Sequence, residues 1–275
     1  MRDYSNQPLE STTDETMTDP ESPALTLARA IDAARERHFD AAGTACDYAG
    51  LRRSPERQAL AEALVALDGF DPRRAPIPGP IGFWLNAYNA CALMAVLEGA
   101  PDQDVSRIEG FFERERVRVA GLGYSLDDIE HGLLRGNTHK YGRLRGPLAR
   151  DDSRLAFTPL IYDERMHFAL YSACRSTPAL RAYHAGGLET ELEQAAREYL
   201  RRTVRVEHEG AVVVAPKQLY WYARDFGGES GALEFVLERL EDDAAIELID
   251  RRQGLVKLRY DDFDWALNQC PSQGR

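Results

Sequence analysis

Two asparagines three residues apart sit in an otherwise apolar stretch, FWLNAYNA, residues 83–90. Asn86 and Asn89 at that spacing share one helical face, and an amide among apolar neighbours is costly unless it is hydrogen-bonded. Two uses are open: clamping a neighbouring loop or connector, or orienting a substrate. Glu130 and His131 are adjacent, so on a regular helix they point apart and need not act as a pair. With Asp127, Asp128 and His167 they offer ligands for a metal, although acids in a first helical turn ordinarily serve the helix dipole. His167 stands in an apolar run, MHFAL. An imidazole there is either a core residue satisfied by backbone or a general base. Cys174 follows seven residues later, beside Arg175, and a guanidinium lowers a thiol pKa. Ser172, Ser176 and Thr177 are alternative nucleophiles, without the GxSxG elbow of the α/β-hydrolases. Trp221, Tyr222 and Asp225 form a further aromatic and acidic patch; aromatics at that spacing ordinarily belong to a core.

These residue types suit a hydrolase or transferase acting on a small amide, ester or thiol compound. His167 would be the general base, Asn86 an oxyanion or orienting donor, and Ser172, Cys174 or Thr177 the nucleophile. Two other classes compete. One is a non-catalytic binding or scaffold module with a protein partner. The other is a metal site on Glu130, His131 and His167. No P-loop, GxGxxG turn or HExxH motif occurs, so no cofactor is expected.

The chain has 275 residues, with 34 Lys+Arg against 45 Asp+Glu and a net charge of -11. An acidic surface disfavours nucleic acid and anionic membrane alike. No uninterrupted apolar run of membrane-spanning length is present, so no membrane span is expected. The first 22 residues are acidic and polar and read as a disordered tail, leaving 23–270 as one globular domain. Four cysteines at wide, irregular spacing, with no CxxC and no export signal, suggest reduced thiols in the cytoplasm.

The elements that must position these residues follow from periodicity and turn chemistry. Helices are expected over 24–39, from Ser54-Pro55 to Gly69, over 83–100 and over 188–200, and another from Pro216. The 83–100 helix is apolar nearly all round and reads as the buried centre. A Pro-rich connector, 72–82, precedes it. Hairpins are expected over 116–126 and around Glu209-Gly210, with a last strand in GLVKLRY. Ser125 opens a short helix, IEHGLLRG, through a capping box. Residues 165–174 read as a short buried strand. Helices and hairpins without repeated βαβ units predict an α+β fold with a small, mainly antiparallel sheet.

Five segments together resemble the domain of unknown function 547 family: FWLNAYNA, YSLDDIEHGLLRG (124–136), RMHFAL followed by SxxP (165–178), LYWYARDF (219–226) and FDWALN (263–268). The resemblance spans roughly residues 75–268. It implies that Asn86, Asn89, Glu130, His131, Arg135, His167, Trp221 and Asp225 share one polar pocket; the family has no assigned reaction. The family pattern after the His segment resembles Asn-Cys-Gly-x-x-Ser-Cys-Pro. Here Ser172 and Thr177 stand at the two Cys positions, and Cys174 falls elsewhere. A buried helix followed by a sheet is also similar, at fold level only, to papain- and transglutaminase-like hydrolases.

Overall fold

A computed structural model describes residues 22–75, 80–99, 104–207, 212–241, 246–247, 251 and 256–270. The acidic segment 1–21, residues 76–79 of the Pro-rich connector and the Glu209-Gly210 turn lie outside the described residues. Helix α1 (Pro23–His38) buries Leu27, Ile31 and Ala34. Helix α2 (Tyr48–Arg52) is capped by Asp47, whose side chain accepts from the Gly50 N–H at 2.9 Å. Helix α3 (Pro55–Ala66) starts as expected, with Ser54 as N-cap.

Helix α4 (Pro80–Gly99) begins three residues before the apolar run, because proline suits a first helical turn. Residues 81–97 are all buried. By length and mean hydropathy (1.3) this helix could cross a membrane, but 94% of that window is wrapped by the protein's own elements. Helices α1 and α3, the first strand and the segment after the hairpin pack around it.

Strands β1 (Glu115–Val119) and β2 (Leu122–Ser125) pair antiparallel. Ala120 and Gly121, with φ of 51 and 79, make the left-handed two-residue turn that matches strand twist. Ser125 Oγ then accepts from the Asp128 N–H at 3.0 Å, and Asp128 Oδ2 accepts from the Ser125 N–H at 2.9 Å, completing the capping box. The helix it opens, Asp128–Leu134, is a π-helix: the Arg135 N–H reaches the Glu130 carbonyl. The wider turn sets consecutive Glu130 and His131 closer in direction than a regular helix would, and both are buried.

Residues 165–174 do not form the expected strand. Glu164–Phe168 is a 3-10 turn capped by Asp163, and irregular backbone follows. The reason is that side chains of α4 take the hydrogen bonds a neighbouring strand would supply, as described below. Helix α5 (Leu188–Thr203) packs on this turn. Strands β3 (Arg205–Glu207) and β4 (Val212–Ala215) are antiparallel. Helices α6 (Lys217–Trp221) and α7 (Glu229–Leu237) precede β5 (Lys257–Tyr260), which joins β4 in parallel. The architecture is α+β, with a two-stranded antiparallel sheet and a mixed three-stranded one. The segment after β5 returns across the molecule, bridging Asp104, Cys174 and Cys46 in turn, and so carries Phe263 and Trp265 back to the centre.

Candidate functional site

The π-helix, the 3-10 turn at 164–168 and the turn after α6 meet beside α4. Each contributes charged or aromatic groups to one buried network. Arg135 makes a two-pronged ion pair with Asp225, Nη2 to Oδ1 at 3.0 Å with Nε on Oδ2. His167 Nε2 lies 2.9 Å from Asp225 Oδ2. Arg135 Nη1 donates to His131 Nδ1 at 2.9 Å and to the His139 carbonyl at 3.2 Å. The Tyr222 and Tyr88 hydroxyls donate to Glu130, at 2.6 and 3.2 Å. The Tyr222 ring stacks on His167 with centroids 4.1 Å apart and planes 11° from parallel. The Arg135 guanidinium lies 4.8 Å from the centroid of the same ring. Thus Glu130, His131, Arg135, His167 and Asp225, far apart in the chain, converge.

The hydrogen bonds assign proton positions. A guanidinium only donates, so His131 Nδ1 must carry its lone pair, and its proton sits on Nε2. Burial lowers the His131 pKa to about 4, keeping it neutral. Burial opposes charge on Asp225, but the His167 hydrogen bond and the Arg135 fork hold its carboxyl well below the usual range. An ionised Asp225 only accepts, so His167 donates to it through Nε2–H. His167 Nδ1 is buried and has no hydrogen-bond partner. Burial likewise opposes the Glu130 charge, yet His131, the Tyr222 hydroxyl, His167 and Arg135 together hold its carboxyl below the usual range.

A pH dependence follows. The folded-state pKa of His131 is depressed from about 6.5 to about 4, so between those values the unfolded chain binds the extra proton. Its contribution is fully present above about pH 6.5 and is lost as pH falls towards 4, at up to about 1.4 kcal/mol per pH unit. Asp225 acts in the same direction in a separate window, below the ordinary carboxylate pKa. Urea midpoints between pH 7 and 5 should fall for the wild type and fall less steeply for His131→Gln. Equal slopes would disprove the assignment.

The network floors a small open cleft of about 60 Å³. Its walls include Tyr88, Glu130, His167, Ser172, Trp221 and Tyr222, with Phe112, Phe263 and Trp265 at the rim. Among the proposed nucleophiles, Ser172 shares this cleft with His167 but makes no hydrogen bond to it. The Ser172 hydroxyl lies 3.3 Å from Thr177 Oγ1 and 3.9 Å from Cys174 Sγ. Thr177 Oγ1 is engaged by the Ser172 N–H at 2.7 Å. Cys174 is buried, and burial pushes its thiol up to about 12 despite Arg175 next in sequence, so it is not a ready thiolate. Between Ser172 and Cys174, Ala173 takes a left-handed φ of 59, where the family pattern has glycine.

Asn86 and Asn89 lie outside the network. The Asn86 amide holds both backbone groups of Tyr183, donating to its carbonyl and accepting from its N–H, each at 2.8 Å. Asn89 donates to the Ala169 and Arg181 carbonyls at 3.0 and 3.3 Å and accepts the Tyr171 N–H at 2.9 Å. Both are clamps, and the Asn86 amide has no place beside His167 as an oxyanion donor. The competing metal arrangement on Glu130, His131 and His167 finds no support: among the described residues, no three His, Cys, Asp or Glu side chains are grouped to hold an ion. His131 Nδ1 is committed to Arg135 and His167 Nε2 to Asp225.

The segment from α4 to α5, residues 80–200, matches the family model described as "Protein of unknown function, DUF547". Over that segment the chain is similar to the DUF547 family. No curated protein and no solved structure matches the chain. The matched DUF547 segment supplies Glu130, His131, Arg135, His167 and Ser172. Asp225, Tyr222 and Trp265 come from beyond it, so the site is completed by chain that follows the DUF547 match. Tyr88, Tyr162, Phe263 and Trp265 were not among the expected site residues. Phe263 and Trp265 lie in the FDWALN motif, which was a usable signal. Tyr162, whose hydroxyl lies 3.4 Å from His167 Nε2, sits in an exposed apolar loop that carries none.

Proposed function

We propose that the DUF547 cleft is the active site of a hydrolase or transferase in which His167 is the general base. One observation carries the reading: His167 donates a hydrogen bond from Nε2–H to an ionised Asp225, while Nδ1 is left without a partner in a residue that lines the cleft. This is the orientation by a carboxylate that a catalytic imidazole requires, with the two ring nitrogens exchanged relative to the usual triad. Nδ1 would take the proton of a water, or of the Ser172 hydroxyl on the same wall, as that oxygen attacks a carbonyl. Asp225 then stabilises the imidazolium. Tyr222, stacked on the ring and held by Glu130, is a positioning residue. The high thiol pKa of Cys174 argues for an oxygen nucleophile. A cytoplasmic setting is supported by four cysteines that are all unpaired.

The test is turnover of a panel of small chromogenic esters, thioesters and amides. His167→Gln should lower kcat/KM by about 10²–10⁴-fold. Equal turnover by His167→Gln, or no turnover of any member by the wild type, would overturn the reading. A binding module is the second reading, favoured by a specific observation: none of Ser172, Cys174 and Thr177 is hydrogen-bonded to His167.

A further inference from the structure

The cleft's walls differ from its floor in a way that specifies a ligand. Four aromatic rings at the rim form a continuous surface. Trp265 lies 4.5 Å from Phe263, 6.0 Å from Phe112 and 6.3 Å from Trp221, centroid to centroid. All four are only partly buried. Beneath them lies Glu130, 6% exposed.

Arg135 is matched by Asp225, and Lys140 by Asp127 at 2.9 Å. Glu130 is hydrogen-bonded by two tyrosine hydroxyls, which are neutral. His131 comes within 3.8 Å of it through Nδ1, the nitrogen that carries a lone pair, and so donates nothing. Among the described residues Glu130 thus accepts hydrogen bonds only from neutral hydroxyls, and it lines the same cleft as the rings. The rings already hold an ammonium at their edge: Lys140 Nζ sits 4.5 Å from the centroid of Phe112.

We infer that the cleft recognises an organic cation, a substituted ammonium group seated on Phe112, Trp221, Phe263 and Trp265 and facing the Glu130 carboxylate. Ring faces carry negative potential and attract a cation once water is displaced, and Trp does so best. The net charge of -11 would raise the local concentration of such a ligand. The inference rests on the proposal that this cleft is the substrate site, and it names the substrate class.

The experiment compares choline with its neutral isostere, 3,3-dimethylbutan-1-ol, at constant ionic strength, by tryptophan fluorescence on the full chain. Choline should saturate and bind at least about tenfold tighter than the isostere. Trp265→Leu, at the half-exposed rim, should weaken choline about tenfold without altering the far-UV spectrum. An isostere that binds as well as choline, absence of saturable choline binding, or a Trp265→Leu protein that binds as before would overturn the inference. The two proposals fail separately. Choline binding without turnover of any ester, thioester or amide removes the acid–base reading alone. His167-dependent turnover of neutral substrates, with no choline binding, removes the cation inference alone.

Discussion

Arg135→Leu should destabilise the protein by about 3–5 kcal/mol, the cost of breaking a buried ion pair by removing one partner. The side chains of Arg135 and Asp225 are 3% and 7% exposed. The guanidinium also holds His131 Nδ1 and the His139 carbonyl. Leucine removes all of these contacts and strands Asp225 with a charge it cannot easily shed. The double variant Arg135→Leu/Asp225→Leu should recover much of the loss, because neither charge is then buried alone. Urea denaturation of the two single variants and the double variant measures this. A single-variant loss below about 1 kcal/mol would mean that the pair behaves as a surface ion pair.

Asn89→Leu, nearly isosteric, should cost about 3–5 kcal/mol although no charge is touched. Asn89 is fully buried and satisfies the Ala169 carbonyl, the Arg181 carbonyl and the Tyr171 N–H. Each buried backbone group left without a partner costs about 1–3 kcal/mol. Water entering the space can offset part of that sum. The backbone segments 169–171 and 181–183 should loosen together, since Asn89 ties one to the other. A loss under about 1 kcal/mol would show that these groups find other partners.

Much of this was legible in the chain itself. The helix starts at Ser54-Pro55 and the Ser125 capping box are local chemistry, and the structure forms both. The buried helix was readable because nothing polar interrupts it except two asparagines. The 165–174 segment was misread for a physical reason. Its apolar pattern is that of a buried strand, but Asn89 supplies hydrogen bonds that a strand partner would have supplied, and side-chain donors leave no trace in hydrophobic periodicity. The adjacency of Glu130 and His131 argued against joint action on a regular helix; the π-helix removes that objection, and its widened turn has no signature in residue types. Convergence of the π-helix with Asp225 depends on contacts across 90 positions of chain, which spacing does not encode.

The two asparagine clamps also set a clock. The amides of Tyr171 and Tyr183 lie in irregular backbone, where exchange with solvent deuterium is ordinarily fast. Both are donated to side chains on α4. They can open only when that helix moves away, so their exchange should report the largest opening free energy of the protein rather than a local one. Two isolated slow amides in a coil, matching the slowest amides of α4, would be the mass-spectrometric or NMR signature of a helix standing in for the missing strand.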